Sequence, residues 1–290
     1  MTAALPAGTR AELWLPRLSL GACVRGYIGR GPGGVALTYA QRITRFPASP
    51  LVGITWFVRG ECRLLPWDAA APPEGPGELL PRIVFGGAHD GPSMSAASPE
   101  AEAFMLVLLP DAFQALTGVD PGLWRNRTVA ADALLPADWQ PLLQAVLQAE
   151  HDAARIALIE DFLSPRWAAA RGDGPAVLRS THDWAHALVM RAATSGLGRS
   201  VRQMERRIKA WSGQPLRDLR LLARSEQSYF RAMQAQRDGA IDWAHIAQEA
   251  GYADQSHFCR ETRRVTGYSP EALRLRMQTD ESFWLYRIWG

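Results

Sequence analysis

The stretch Asp242 to Leu273, DWAHIAQEAGYADQSHFCRETRRVTGYSPEAL, decides how the chain is read. Asp242 stands where an N-cap belongs, ahead of the short helical pattern WAHIAQEA, and Gly251-Tyr252-Ala253 supplies a tight turn. Asp254 then caps a second helix, QSHFCRETRRVT, which Gly267 terminates. Helix, glycine turn and helix in this proportion make a helix-turn-helix, whose second helix enters the major groove of DNA. Phe258, Thr262 and Val265 form the inward stripe of that helix. Its other face carries Gln255, Ser256, His257, Arg260, Arg263 and Arg264, side chains that reach base edges and phosphates.

The same plan occurs upstream. Asp-Trp-Ala-His is found at Asp183 to His186 as well as at Asp242 to His245. Ser200 corresponds to Asp254 as a cap, and Gly213 follows Ser200 by the 13 positions that separate Gly267 from Asp254. Met204, Ile208 and Trp211 repeat the inward stripe, leaving Arg199, Arg202, Gln203, Glu205, Arg206, Arg207 and Lys209 around it. Two readers on one chain reach successive major-groove segments about 34 Å apart.

Charge follows this division. The 290 residues carry 32 Lys and Arg against 29 Asp and Glu. Residues 176–278 alone hold 17 basic against 10 acidic side chains, a net of +7, and the remainder is net −4. A basic module joined to an acidic partner suggests that only the C-terminal part meets a polyanion. Lys209 is the single lysine.

GYADQSHFCRETRRVTGYSPEAL resembles the C-terminal signature of AraC/XylS-type transcriptional regulators, with its glycine-aromatic turn, polar recognition helix, Thr-Gly pair and Ser-Pro step in that order. GRSVRQMERRIKAWSGQPLRDLRLLAR resembles the upstream helix-turn-helix of the same family, joined through a linker helix over Arg224 to Met233. The likeness covers about 100 of the 290 residues. It implies base or groove contacts from Arg202, Glu205 and Arg206 in the first reader and from Gln255, Ser256, His257 and Arg260 in the second. Two departures stand out. Thr262 occupies a position where the family usually has Phe. The first copy also has five more residues between its DWAH and its cap, so either the turn carries an insertion or the first helix runs in another register.

The N-terminal part reads differently. Residues 18–109 hold short β-branched and aromatic runs such as LVGITWFVRG and AFMLVLLP, separated by GPGG, PASP and a Pro/Gly/Ala stretch from Asp68 to Gly77. They predict a small antiparallel barrel or sandwich. Over residues 110–167 the pattern turns helical, with Leu142, Leu143, Val146, Leu147, Ile156, Leu158, Ile159, Phe162 and Leu163 close to a 3.6-residue period. The predicted class is α+β. A regulatory domain spans 1–167, a linker AAARGDGP covers 168–175, and an all-α tandem helix-turn-helix domain covers 176–278. In many family members the regulatory half is a cupin-like barrel for ligand binding or dimerisation. Trp56, Phe57, Trp67, Phe85 and His89 are the candidates to line a pocket.

Other chemistries find little support. His182 and His186 share a helix face but have no third zinc ligand at motif spacing. Gly29 to Gly34 fits GxGxxG only formally, since a strand-like run follows, and a hairpin turn explains it. Cys23, Cys62 and Cys259 lack the pattern of a disulfide framework or metal knuckle. No cofactor is implied. A DNA-repair or base-modifying enzyme fused to an AraC-like module is the alternative, but Cys23 in ACVRG and Cys62 in ECRLL have no Pro-Cys-His context. The expectation is a regulator, not an enzyme, that binds double-stranded DNA and stays in the cytoplasm with the nucleoid. A small-molecule effector, RNA polymerase and a second copy of the chain are the further partners this reading admits. No apolar run reaches the roughly 18 residues of a membrane span.

Overall fold

Alternation decides which way each N-terminal strand faces. The computed structural model describes residues 8–69, 77–171, 177–195 and 200–289. In it β1 (Arg10–Trp14), β2 (Val24–Gly31), β3 (Ile43–Phe46), β4 (Val52–Arg59), β5 (Cys62–Leu65), β6 (Glu78–Leu79), β7 (Ile83–Gly86), β8 (Ser93–Ala97), β9 (Glu102–Leu108) and β10 (Thr128–Ala130) form two antiparallel sheets. One runs β1-β2-β9-β4-β7-β10 and the other β3-β8-β5-β6.

Register puts Tyr27 opposite Leu106, Leu106 opposite Ile54 and Ile54 opposite Phe85, so these four side chains share one face of the larger sheet. Phe104 and Trp56 lie in the next row on that face. All six are completely buried. They pack against α1 (Pro110–Thr117), α3 (Gln140–Gln148) and α4 (Asp152–Ala170), with the short α2 (Ala131–Leu134) at the β7 edge. The Phe85 and Phe113 rings stack 4.9 Å apart, and Trp56 Nε1 donates to the Leu143 carbonyl at 3.0 Å. Each aromatic buried this way contributes about 1.5 to 3 kcal/mol. The intervening residues, Ile28, Met105, Thr55 and Val84, form a second row across the sheet and face the opposite way.

The C-terminal part is helical: α5 (Thr181–Thr194), α6 (Val201–Ser212), α7 (Leu216–Arg237), α8 (Trp243–Glu249), α9 (Gln255–Thr266), α10 (Pro270–Thr279) and α11 (Trp284–Ile288). The chain is thus α+β, a sheet region with helices followed by a helical region. Residues 168–170 of the expected linker belong to α4, and 172–175 lie outside the described residues. Packing does not break at that point. Trp184, Leu188, Ile208 and Leu219 join the same core as Trp56 and Phe85. Trp184 Nε1 donates to Asp111 Oδ1 at 2.8 Å, and burial pushes the Asp111 carboxyl above its ordinary range against the opposing pull of Trp184 and Arg191. The second helix-turn-helix has its own small core of Ile246, Ala247, Tyr252 and Phe258, with Trp243 against it.

Residues after the expected DNA-binding domain return to the sheet. Glu281 accepts from Arg30 at 2.7 Å and from Thr9 Oγ1 at 3.2 Å, and also pairs with Arg287. The Arg30 guanidinium lies 4.8 Å over the Trp284 ring, whose Nε1 donates to Thr44 Oγ1 at 3.0 Å. This C-terminal strap binds the end of the chain to β1, β2 and β3. Glu281 has a side chain only 2 % exposed, so its partners have little water to replace it. Glu281→Ala should therefore lower unfolding free energy by about 3 to 5 kcal/mol. Asp138→Ala, which breaks an exposed pair with Arg166, should cost under about 1 kcal/mol in the same urea titrations.

Candidate nucleic-acid interface

Both predicted recognition helices form between the predicted caps. Ser200 accepts from the Gln203 backbone N–H and the Gln203 side chain returns to the Ser200 backbone, a complete capping box at the start of α6. Asp254 Oδ1 accepts from the His257 N–H at 2.6 Å at the start of α9. Each helix ends in a left-handed glycine, Gly213 at φ +73° and Gly267 at φ +83°, a conformation that favours glycine.

The first copy differs in the way its extra residues suggest. Asp242 caps α8, accepting from the Ala244 and His245 N–H groups. Asp183 instead lies inside α5, which Ser180 caps three residues earlier. The helix therefore runs in another register relative to DWAH, and beyond that tetrapeptide α5 is about one turn longer than α8.

The stripes turn inward. Phe258, Thr262 and Val265 are buried in α9, as is Ile208 in α6, with Met204 and Trp211 partly buried against the core. On the outer faces Arg202, Gln203, Glu205, Arg206 and Lys209 are exposed, as are Gln255, Ser256, Arg260, Arg263 and Arg264. Arg199 lies outside the described residues. Arg207 turns back to the Ala192 carbonyl at 2.9 Å and Ser195 Oγ at 2.7 Å, tying α6 to α5.

His257 is held differently from its neighbours. Its Nε2 is 3.2 Å from Glu261 Oε1, and the other Glu261 oxygen accepts from Arg224 of α7 at 2.7 Å. Arg224 lies 4.5 Å over the Tyr252 ring, whose edge meets the His257 ring at 5.4 Å. This histidine is half-buried and engaged with the linker helix. Sequence spacing puts it on the outer face, and the i,i+4 spacing to Glu261 is local, but nothing in the sequence ties Glu261 to Arg224, 37 positions earlier.

A cavity of about 440 Å³ lies where the second face of the large sheet meets the C-terminal helices. Gly53, Thr55, Gly86 and Met105 contribute from the sheet, Ser95 from β8, and Phe258, Thr262 and Val265 from α9. Of the residues expected from sequence, Phe57 and His89 line it. Trp56 and Phe85 are on the opposite, helix-packed face, since strand alternation turns them away. Trp67 lies outside the cavity, edge-on to Tyr268 at 6.0 Å. The small residues Gly53, Thr55 and Gly86 also line the cavity, and nothing in their chemistry marks a pocket in the sequence.

Among the described residues no cluster of three or more His, Cys, Asp or Glu is arranged to hold a metal, and no helix is long and apolar enough to cross a membrane.

Residues 193–276 match the family model of a helix-turn-helix domain. No curated protein matches the chain. Among solved structures, ToxT from Vibrio cholerae aligns at 12% identity and TM-score 0.33, over 82% of this chain and 97% of its own. An apo lysine-to-alanine variant of ToxT aligns at 11% and 0.36, over 95% and 100%. Wild-type ToxT bound to an unsaturated fatty acid aligns at 13% and 0.34, over 82% and 95%.

Burial in the cavity wall lowers the His89 pKa from its ordinary value near 6.5, with Asp90 opposing. The unfolded chain then takes up a proton that the folded chain refuses, so stability falls as pH drops through about 6.5. His89→Gln should flatten the stability profile between about pH 7 and pH 5. Urea midpoints of the two proteins across that window test it, and parallel curves would remove His89 from the account.

Proposed function

We propose that the protein is a sequence-specific DNA-binding transcription regulator in which α6 and α9 read adjacent major-groove segments. The observation that carries this reading is the pairing of two capped helices of the same length, each with its inner stripe packed and its basic, polar face left to solvent. Arginines and backbone groups hold phosphates, which sets affinity and salt dependence, while Gln255 and Arg260 read base edges. Arg202, Glu205 and Arg206 act likewise in the first reader, with Gln203, Ser256, Lys209, Arg263 and Arg264 beside them. His257 joins this set by exchanging Glu261 for a groove contact.

In this reading the protein divides into a regulatory unit, 1–167, and a DNA-binding unit, 176–278, and works in the cytoplasm where the DNA is. The regulatory unit senses a small, mainly apolar molecule in the cavity. RNA polymerase and a second copy of the chain are downstream partners for such a regulator. The enzyme alternative needs a reactive nucleophile. Cys23 and Cys62 are buried and burial pushes both thiols up, the reverse of what an attacking thiolate requires.

Selection from a random duplex library with the full chain should enrich a motif of two elements about one helical turn apart. Arg260→Ala should cost about 1 to 3 kcal/mol and relax preference at one position. An equal loss on every sequence would leave only phosphate binding, and salt-sensitive binding with no motif would overturn the reading.

The sensing role has its own test. A Cβ at Gly86 meets open space, so Gly86→Leu fills the cavity without displacing the fold. A compound that raises the Tm of the wild-type chain should fail to do so in this variant. An undiminished shift would place the compound elsewhere.

A further inference from the structure

The C-terminal ends of both recognition helices are held by one short segment of the regulatory half. Residues 47–51, Pro-Ala-Ser-Pro-Leu, join β3 to β4 and line the cavity. The Ala48 N–H donates to the Val265 carbonyl, in the last turn of α9, at 2.7 Å. Two residues on, the Pro50 carbonyl accepts from Gln214 Nε2 at 3.1 Å, and Gln214 follows directly on the Gly213 that ends α6. Between these contacts Ser49 exchanges both backbone hydrogen bonds with His89, at 2.9 and 3.0 Å. Two prolines restrict φ and the bridge to His89 fixes the centre, so the segment is stiff.

Neighbouring contacts repeat the pattern. A Cβ on Gly213 would stand 2.7 Å from the Gly122 nitrogen, and one on Gly267 would stand 2.2 Å from the Trp67 ring. Arg125 donates to Asp218 Oδ2 at 2.7 Å at the start of α7, the helix that joins the readers, and its other nitrogen pairs with Asp90, next to His89. Every one of these contacts falls at a helix C-terminus or on the linker helix. The outer faces of α6 and α9 are left uncovered.

The first reader already shares its core with the regulatory half through Ile208 and Trp184. The second has a separate core, so its angle to the first depends on α7 and on this brace. Along a duplex one base pair is about 3.4 Å of rise and about a tenth of a turn. Two rigidly joined readers engage two elements together at one spacing only, whereas loosely joined readers tolerate several.

We propose that the segment 47–51, with Trp67 and Arg125 beside it, fixes the distance and phase between the two DNA elements that the chain reads. The proposal rests on both helices reading DNA. It makes the regulatory half a determinant of spacing specificity, and it makes the wall of the cavity the part that sets this spacing.

The test uses the full chain and duplexes in which the two selected elements are moved apart or together by one and two base pairs. The wild-type chain should lose about tenfold or more in affinity at each step away from the optimum. Trp67→Ala, Arg125→Ala and Gln214→Ala should flatten that profile to within about threefold, with affinity for a single element unchanged. Equally sharp profiles in all three variants would overturn the proposal while leaving two-element reading intact. Failure to select any two-element motif would defeat that reading and the proposal with it. Hydrogen exchange in the wild-type chain supplies a measurement free of folding defects. The Ala48 amide should stay protected in the DNA complex, and its release on binding would show that the brace opens and sets no spacing.

Discussion

The large sheet is apolar on both faces, and the rest of the molecule is arranged by the need to cover them. The face carrying Tyr27, Ile54, Trp56, Phe85, Phe104 and Leu106 is covered within the N-terminal half by α1, α3 and α4. The other face, with Ile28, Met105 and Val107, is only partly roofed by the smaller sheet. Trp284 and Leu285 from the end of the chain complete it, and the helices of the second reader close the remaining side. An exposed apolar face of that size draws in whatever partner is at hand. Here the partner is the helical C-terminal half itself, so α6 and α9 are seated on the sheet by the same force that folds it.

Much of this arrangement was legible in the sequence, and the illegible part has physical causes. Caps and terminating glycines are local signals, and Ser200, Gly213, Asp254 and Gly267 fall where spacing puts them because a helix end must satisfy its own backbone groups. Strands with β-branched or aromatic residues, such as β4 and β9, were evident. β8, SMSAA, was not, since nothing in its composition favours a strand and it exists only through pairing with β3 and β5. β1 was missed for the same reason, as it is an edge strand made by β2. The two faces of β4 follow from alternation alone, but which face meets helices and which meets the cavity depends on distant contacts, 87 residues away for Trp56 with Leu143 and farther still for the C-terminal helices. The C-terminal strap was equally hidden, because the value of Glu281 lies in Arg30.

Charge serves two purposes on this surface. Arg25 with Glu226, Arg125 with Asp218, Arg191 with Asp111 and Arg30 with Glu281 all join the N-terminal half to the helices beyond it. The arginines on the outer faces of α6 and α9 are left to solvent instead. Arg264 stands between the two uses, 4.0 Å from the same Asp218 that Arg125 occupies at 2.7 Å. The closer, less exposed guanidinium has the stronger claim on that carboxylate. While Arg125 holds it, Arg264 stays on the outer face, more than half exposed.

Thr262 brings these strands of argument together. The position usually belongs to a large aromatic in proteins resembling the C-terminal half, and a threonine there leaves volume unfilled beside Phe258 and Val265. Its hydroxyl donates to the Phe258 carbonyl at 2.9 Å, so that hydroxyl is not left unpaired. The vacated volume is continuous with the cavity between sheet and helices. The inner face of the second recognition helix is therefore itself a cavity wall. A molecule that fills the cavity would press on α9 from within, against the brace at its C-terminal end. Interiors respond to added volume by shifting between packings, since they are too dense to deform continuously. A reader packed tightly by phenylalanine at this position would have no such contact with the cavity and would be coupled to it only through the brace.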